Sequence, residues 1–408
     1  MSSVVEPRDA ATPVVSAFYD RFPYPGDPLQ DGPPPGYNWR WCVDTAYASC
    51  TGAVLPLRPE GERLRILDAG CGTGVSTDYL AHLNPDAEIL GVDISPGTLE
   101  VARERLQRSG GQEQAQVRLE NCSLLELEGE QPFDYINSVG VLHHLRQPVA
   151  GLKALASLLK PGALLHLFLY ADGGRWEIHR CQRALTMMGV GMDDQGLNLG
   201  RKLFDDLPEF NRLRLNHEQR WAIDCAADAN FADMYLHPQE TSYKLASLFD
   251  FVASADLEFA GFSNPQIWDP SRLLKGELLQ RARQLPQREQ WQLVEDLDPD
   301  ISHFEFFLSK GSLPQYDWDD DATLLAASGR RSCCLWGWPG KALLDHEMAP
   351  LNLSSEGLEL LQALEDAPEG TALGDLPLGW ESTRIASLAR DLQRQQVLLL
   401  SPGSAPST

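Results

Sequence analysis

The sequence predicts an α/β fold built around a parallel β-sheet. From Arg63 to about Ala171, short apolar stretches alternate with segments of helical periodicity. The short stretches are rich in β-branched or aromatic residues, and glycines close the helical segments. Strands that alternate with helices form βαβ units, so we expect parallel strands covered by helices on both faces.

Five strands and three helices carry this prediction. The strands are expected at RLRILDA (63–69), AEILGVD (87–93), AQVRLEN (115–121), FDYINSVG (133–140) and ALLHLFLYA (163–171). The helices are expected at GVSTDYLAHL (74–83), SPGTLEVARERLQRSG (95–110) and PVAGLKALASLLKPG (148–162). Right-handed crossovers bring the loops after the strands to one edge of the sheet, where ligands bind in such folds.

The alternation stops after Ala171 and later resumes. Residues 172–240 contain helical segments and several aromatic residues but no clear strand. An amphipathic helix then follows at 242–256, with two further strands at LEFAGFS (257–263) and HFEFFLSK (303–310). We therefore expect a seven-stranded sheet that closes near Lys310, with 172–240 inserted as a helical cap over the ligand-binding edge.

Three parts of the chain are expected. Residues 1–60 form an N-terminal arm over the cofactor and substrate site, and 61–310 form the main domain. The segment GSLPQYDWDDDA (311–322) combines turn residues with an acidic run, which is typical of a domain boundary. Beyond it, 323–401 have two helical segments and a final strand, and we expect a small α+β module there.

Composition excludes several classes of function. The 408 residues include 34 basic and 58 acidic side chains, a net charge of −24 that counts against nucleic-acid partners and anionic membranes. We find no apolar run of about 18 residues and no secretory signal, so no membrane association is expected. Eight cysteines without paired spacing predict reduced thiols in a cytoplasmic protein, and no metal site is expected.

The loop in ILDAGCGTG (66–74) narrows the class of ligand. It spaces Asp68, Gly70, Gly72 and Gly74 evenly, whereas a dinucleotide-binding loop follows the pattern G-x-G-x-x-G. It has no Gly-Lys-Ser/Thr ending, which excludes a P-loop. An acid at the end of the strand would repel a pyrophosphate but could balance an ammonium. The loop therefore suits a ligand with an ammonium and a ribose but no phosphate.

Together with its flanking blocks, this loop resembles the class I S-adenosylmethionine-dependent methyltransferases. The resemblance covers residues 61–171 closely and extends more loosely to Lys310. It implies a Rossmann-like sheet, methyltransferase activity and S-adenosylmethionine as the cofactor. The 25-residue spacing from Asp68 to Asp93 across one βαβ unit supports it.

The resemblance also implies which residues hold the cofactor. The loop from Asp68 to Gly74 would wrap the methionine, Asp93 would bind the ribose hydroxyls, and Ile94 would pack on the adenine. Cys122 stands where the family often has an acid, so Asn121, Ser123 or backbone groups would contact the adenine edge. The full set expected at the cofactor is Tyr19, Asp68, Gly70, Cys71, Gly72, Gly74, Asp93, Ile94, Asn121, Cys122, Ser123 and Ser138.

The catalytic residues are less clearly indicated by the sequence. Methyl transfer is an in-line displacement that mainly needs alignment, and a base is required only when the acceptor must lose a proton. His143 is expected ahead of His144, although a role in the cofactor pocket or at a helix start also explains both. Tyr170 ends the fifth strand and would face the acceptor or simply occupy the sheet edge.

Two segments are expected to contact the acceptor. In the N-terminal arm Trp39 and Arg40 would line its pocket, or would instead attach the arm to the sheet. In DMYLHPQETSY (233–243), Tyr235, His237 and Tyr243 would contact substrate, although capping of a helix near Thr241 explains part of the pattern.

The predicted function is methyl transfer to a small organic acceptor enclosed by the arm and the cap. The alternative is a protein or peptide methyltransferase that holds its target through the C-terminal module, which weakly resembles winged-helix-like modules. A non-catalytic binding protein that retains the cofactor pocket is a third possibility.

Overall fold

The computed structural model describes residues 12–56, 58–59, 61–127 and 129–402. Its helices are α1 Thr12–Arg21, α2 Val43–Thr51, α3 Val75–Leu83, α4 Pro96–Ser109, α5 Gly111–Gln114, α6 Pro148–Leu158, α7 Trp176–Met187, α8 Asp194–Asp206, α9 Arg212–Asn216, α10 Asp228–Leu236, α11 Leu245–Ala253, α12 Gly276–Ala282, α13 Gln287–Leu297, α14 Asp321–Ala326, α15 Ser355–Asp366 and α16 Ser382–Arg394. Its strands are β1 Arg65–Ala69, β2 Glu88–Asp93, β3 Gln116–Asn121, β4 Phe133–Val139, β5 Leu159–Tyr170, β6 Glu258–Phe262, β7 His303–Ser309, β8 Ser328–Arg331, β9 Ala342–Leu344, β10 Pro350–Asn352 and β11 Leu398–Ser401.

A seven-stranded sheet forms the centre of the fold, as the sequence predicts. Its order is β3-β2-β1-β4-β5-β7-β6. The first five strands are parallel, and β7 is antiparallel to both of its neighbours. In this register Asp68 lies beside Gly91 on one side and Asn137 on the other. The carboxyl ends of the parallel strands therefore share one edge of the sheet, and the glycine loop follows β1 at that edge.

Local sequence explains how the helices that flank this edge begin and end. In α4, the Ser95 hydroxyl accepts a hydrogen bond from the Thr98 amide, and Pro96 occupies the first turn. The helix ends at Gly110, whose φ of 80° is readily adopted by glycine. The central strands bury Leu67, Ile136 and other apolar side chains completely, so their near-continuous apolar sequence reflects burial on both faces.

The chain divides into two compact units. The first unit contains Met1–Gly32, Arg65–Asp78 and Glu88–Gly311. The second unit contains Pro33–Leu64, Tyr79–Ala87 and Ser312–Thr408. Among the described residues, no helix is long and apolar enough to span a membrane.

Within the first unit, residues 172–240 are helical and have a core of their own. Helices α7 to α10 and a π-helical turn at His217–Trp221 cover most of this segment. Its buried apolar side chains include Ile178, Phe204 and Phe231, and they pack with Phe18 and Phe22 from α1 and the residue after it. The inserted helices and the first helix of the chain thus share one apolar cluster.

The second unit differs from the expected C-terminal module because it includes part of the N-terminal arm. The expected helices and strand are present as α15, α16 and β11, and β11 pairs with β8. The arm residues 33–56 join them: the Val54 amide donates to the Leu400 carbonyl, and the Trp39 indole donates to Glu347. The expected single arm of 1–60 is therefore split after Gly32.

Candidate active site

The glycine loop after β1 lies directly against the segment that follows α1. Gly70, Gly72 and Gly74 have φ values of 81°, 52° and 79°, a region that side chains disfavour. A Cβ on Gly72 would lie 2.4 Å from the Tyr24 carbonyl oxygen. That carbonyl accepts a hydrogen bond from the Thr73 amide at 3.0 Å. The loop therefore needs glycine at position 72 for close approach as well as for its backbone conformation.

Asp68 has a set of partners that the sequence did not indicate. Its Oδ2 accepts hydrogen bonds from the hydroxyls of Ser76 (2.7 Å) and Thr77 (2.6 Å). Its Oδ1 accepts one from the Asn137 amide at 2.8 Å. Burial raises the pKa of this carboxyl group. The carboxylate thus connects the first turn of α3 to strand β4, and its expected contact with a ligand ammonium stays a prediction.

Asp93 ends β2 and organises the next loop. Its Oδ2 accepts from the Gly72 amide at 2.9 Å, and its Oδ1 accepts from the Ser95 amide at 2.9 Å and the Thr98 hydroxyl at 3.2 Å. Burial raises the pKa of Asp93. The Asn121 side chain donates to the Asp93 carbonyl at 3.0 Å. The Asp93 carboxylate therefore contacts the glycine loop through the Gly72 amide and also contacts the start of α4.

The other residues expected at the cofactor surround these groups. Ile94 is half-buried, and its carbonyl accepts a hydrogen bond from Ser16 of α1. The Cys122 amide donates to the Asp93 carbonyl, and the Ser123 hydroxyl accepts from the Leu125 amide. Cys71 is buried, which raises the pKa of its thiol well above the usual value.

These residues fit S-adenosylmethionine chemically. The Asp93 Oδ2 accepts one protein donor, so a carboxylate lone pair remains for a ribose hydroxyl. The buried Ser138 hydroxyl on β4 has no hydrogen-bond partner among the described residues, which makes it available to a polar ligand group. The individual roles expected at the cofactor stay predictions.

A second polar group lies where β5 ends. Tyr170 is the last residue of β5, and its hydroxyl donates to Asp233 Oδ2 at 3.2 Å. The Tyr19 hydroxyl of α1 donates to Asp233 Oδ1 at 2.8 Å. Asp233 lies on α10 with 3% of its surface exposed. Burial raises the pKa of all three groups, so both phenols stay protonated and act as donors.

Two histidines next to Asp233 have opposite tautomers. His144 Nδ1 lies 2.8 Å from the Gln239 carbonyl oxygen, which can only accept, so Nδ1 carries a proton and, in the neutral ring, Nε2 has the lone pair. The Gln239 amide donates to His237 Nδ1 at 3.1 Å, so His237 carries its proton on Nε2. The two rings are 3.8 Å apart, and His144 Nε2 lies 4.0 Å from Asp233 Oδ1. We call Tyr19, His144, Tyr170, Asp233 and His237 the Asp233 cluster.

His143 lies beside the Asp233 cluster without such fixed partners. Its ring stacks on Tyr170 with the centroids 3.8 Å apart. The side chain is fully buried, and neither ring nitrogen has a hydrogen-bond partner among the described residues. Burial lowers the pKa of His143 well below the usual value, and the neighbouring His144 adds to this effect. His143 is therefore a neutral imidazole at physiological pH.

A buried ion pair packs against the face of the Tyr170 ring. The Arg175 guanidinium carbon lies 3.4 Å from the centroid of the Tyr170 ring. Arg175 also binds both carboxylate oxygens of Glu240, at 3.1 and 2.9 Å, and His179 lies 3.1 Å from the same carboxylate. Burial alone would raise the pKa of Glu240, but the hydrogen bond with His179 and the charge of Arg175 lower it. Glu240 thus stays ionised and fixes Arg175 against Tyr170.

The structure groups only some of the residues expected to contact the acceptor. His237 lies in the Asp233 cluster with Tyr170 and Tyr19. Tyr235, in contrast, lies in the core of the inserted helices, where its hydroxyl is 2.9 Å from His217 Nδ1. The Tyr243 ring packs against Phe251 in the core of the sheet. Both tyrosines stand in a segment dense in polar residues, so the pattern alone did not separate core residues from site residues.

Trp39 and Arg40 belong to the second unit. The buried Trp39 indole donates to Glu347 at 2.8 Å. The Arg40 guanidinium lies 4.7 Å from the centroid of the Trp39 ring and 3.6 Å from Glu347. These contacts reach residues after 312 and fit the alternative that the two side chains attach the arm, here to the rest of the second unit, while a contact with the acceptor stays a prediction.

Several residues of this region were not among those expected at the site. Asp233 and Glu240 flank His237 in the same polar segment, and this density of carboxylates was the available signal. His144 was ranked behind His143 because nothing local shows its contact with Gln239. Arg175 has no sequence signal, since only the fold brings it under Tyr170.

The positions of His144, Asp233 and His237 also allow metal binding to be considered. One ligand atom each from His144, Asp233 and His237 lies within 4.8 Å of the others. A metal ion would need a lone pair from each histidine, yet the Gln239 amide occupies the lone pair of His237 Nδ1. This arrangement suits a donor and an acceptor for a polar organic group better than a set of metal ligands.

Comparison with known proteins agrees with the fold. A family model described as a methyltransferase domain matches residues 67–165. An uncharacterized protein of Synechococcus sp. is 48% identical over 400 residues, which cover 97% of this chain and 94% of that protein. The ubiquinone biosynthesis O-methyltransferase of Xanthomonas euvesicatoria is 38% identical over 105 residues, covering 25% of this chain and 41% of that enzyme.

Among solved structures, PKMT2 from Rickettsia typhi is similar over most of the chain. It superposes with a TM-score of 0.59 and 16% identity, covering 90% of this chain and 77% of that one. A second structure of PKMT2 is in complex with AdoHcy. The sheet order, the glycine loop and these matches agree, and the chain belongs to the class I S-adenosylmethionine-dependent methyltransferases.

Proposed function

We propose that this methyltransferase acts on a hydroxyl group of a small organic acceptor bound at the Asp233 cluster. The observation that carries the proposal is the pair of opposite hydrogen bonds that Gln239 makes, its carbonyl with His144 Nδ1 and its amide with His237 Nδ1, which favour opposite tautomers of the neutral rings. A hydroxyl group both donates and accepts hydrogen bonds. A lone pair on His144 and an N–H on His237 are complementary to it.

The chemistry assigns a separate role to each group. Bound S-adenosylmethionine supplies the methyl group from its sulfonium, and transfer needs an aligned nucleophile. A hydroxyl is a weak nucleophile until its proton is removed, so His144 Nε2 is the proposed base. His237 would hold the acceptor oxygen through its Nε2–H. Asp233, 4.0 Å from His144 Nε2, would stabilise the imidazolium that results.

Burial supports a small acceptor. His144, Tyr170, Asp233 and His237 are each at most 9% exposed. A low-dielectric setting strengthens hydrogen bonds to a developing charge and keeps water away from the methyl donor. An acceptor that reaches these groups must fit among side chains of α1, α10 and β5, which favours a small molecule over a folded protein.

Labelled S-adenosylmethionine and an extract of the source cells test the proposal. The extract is separated into small molecules and macromolecules, and each fraction is incubated with the full-length protein. We expect label in a small molecule, with the methyl group on oxygen. Label that appears only in protein would contradict the proposal and support the alternative peptide or protein acceptor.

Variants test the assigned roles. His144→Gln removes the base and should lower kcat by about 100-fold or more, while S-adenosylhomocysteine affinity stays within about threefold. His143→Asn is the matched control from the same turn and should reduce kcat much less. Asp93→Asn should instead weaken S-adenosylhomocysteine binding. Equal losses of kcat in the two histidine variants would remove the argument for His144.

A further inference from the structure

Three cysteine side chains meet in the second unit, although Cys42 is far from the other two in the sequence. Cys42 precedes α2, whereas Cys333 and Cys334 follow β8. The Sγ atoms of Cys42 and Cys333 are 3.2 Å apart, and those of Cys333 and Cys334 are 3.9 Å apart. All three sulfur atoms lie within 4.8 Å of one another. Only the fold brings the third thiol to the adjacent pair.

These spacings match a metal–thiolate site better than a disulfide. In a tetrahedral zinc site with Zn–S bonds of about 2.3 Å, the sulfur atoms lie about 3.8 Å apart. A disulfide would require a separation of about 2.05 Å and would use only two of the three thiols. Three sulfur atoms with two separations of 3.2 and 3.9 Å and the third within 4.8 Å need little movement to surround an ion.

The surroundings of Cys42 favour a thiolate. The Thr45 hydroxyl donates a hydrogen bond to the Cys42 sulfur at 3.2 Å. Cys42 also lies at the N-terminus of the nine-residue helix α2, whose dipole stabilises negative charge. Cys42 and Cys334 are buried, whereas Cys333 is exposed, so an ion can enter from solvent through Cys333.

We propose that Cys42, Cys333 and Cys334 bind one zinc ion, with a solvent molecule as the fourth ligand. Zinc prefers thiolates, and sites with three protein ligands keep one position open. Binding replaces each S–H bond with an S–Zn bond and releases each proton to solvent, so no electrons are exchanged. The expectation of no metal site relied on local spacing, which could not include Cys42.

Cobalt and zinc titrations of the reduced full-length protein test this site. Co²⁺ should bind in a ratio of one per chain and produce thiolate-to-cobalt charge-transfer absorption, which Zn²⁺ abolishes by displacement. The variant Cys333→Ser should weaken zinc binding by more than about 100-fold, measured by competition with a chelator. Cys333 is exposed, so this substitution leaves the buried core intact, as circular dichroism should show.

The matched control is Cys50→Ser, which removes a thiol of α2 that lies outside the group. It should leave the zinc affinity and the cobalt spectrum unchanged. Equal zinc affinities for the wild type and Cys333→Ser would overturn the proposal. So would a wild-type protein that binds no cobalt, or one that carries a Cys42–Cys333 disulfide by mass spectrometry when it is isolated without reductant.

Discussion

At the scale of single residues, the buried ring of His143 makes the free energy of unfolding depend on pH. Burial lowers the pKa of His143 well below the usual value, so the folded protein keeps this ring neutral. An unfolded chain protonates histidine below a pH of about 6.5. The stabilising contribution of neutral His143 is therefore present above that pH and is lost as the pH falls, by about 1.4 kcal/mol per pH unit.

The variant His143→Asn isolates this contribution. The ring nitrogens of His143 have no hydrogen-bond partner among the described residues, so the substitution breaks no described side-chain hydrogen bond. We expect the wild type to lose about 1 kcal/mol more of its free energy of unfolding than the variant between pH 7.5 and 5.5. Urea denaturation at both pH values measures the difference. The same loss in both proteins would show that His143 becomes protonated in the folded state.

At the scale of elements, the glycine loop and the segment after α1 are in direct contact beside the residues expected to bind the cofactor. The variant Gly72→Ala would place a Cβ 2.4 Å from the Tyr24 carbonyl oxygen, so the segment must move. We expect affinity for S-adenosylhomocysteine to fall by at least about tenfold, measured by calorimetry. An alanine there also bears the cost of a positive φ, about 1 kcal/mol.

A second glycine allows the steric effect of a new Cβ to be separated from the backbone cost of a positive φ. Gly162 has a φ of 76°, and a Cβ there would have no heavy atom within 4 Å. The variant Gly162→Ala therefore has the backbone cost without the collision, and it should lower stability while leaving S-adenosylhomocysteine affinity unchanged. If both variants weakened binding alike, backbone strain rather than the Tyr24 contact would explain the loss.

Elements also show what the sequence can and cannot predict. All seven strands of the sheet were predicted, because central parallel strands have near-continuous apolar runs that differ from the flanking helices. The role of Asp93 follows from the family resemblance, which its spacing from Asp68 supports, and it stays a prediction. Tyr235 and Tyr243 lie in apolar cores, which the sequence could not show because an aromatic residue with a hydroxyl suits both a core and a site. The partners of Trp39 and Cys42 lie about 300 residues away, beyond any local pattern.

At the scale of the whole molecule, the second unit is assembled from both ends of the chain. The Trp318 indole donates to the Gly52 carbonyl at 2.7 Å, and the Val54 amide donates to the Leu400 carbonyl at 2.8 Å. Ala53 is completely buried among apolar side chains such as Leu360 and Leu398. Residues 33–64 therefore take part of their hydrogen bonds and of their core from residues after 312.

This dependence predicts the behaviour of a shortened chain. A protein that ends at Gly311 would leave Trp39 without Glu347 and Ala53 without its apolar neighbours, and we expect it to aggregate and to bind a hydrophobic dye. A control chain that ends at Pro402 retains every described contact of the second unit and should elute as the full-length protein does in size-exclusion chromatography. A well-dispersed 1–311 protein with a cooperative thermal transition would contradict the two-ended assembly.

The expected misfolding of this shortened chain also limits its use in identifying the acceptor. A loss of turnover in the 1–311 protein would not distinguish a small acceptor from a protein acceptor. Point variants of the Asp233 cluster are the better test.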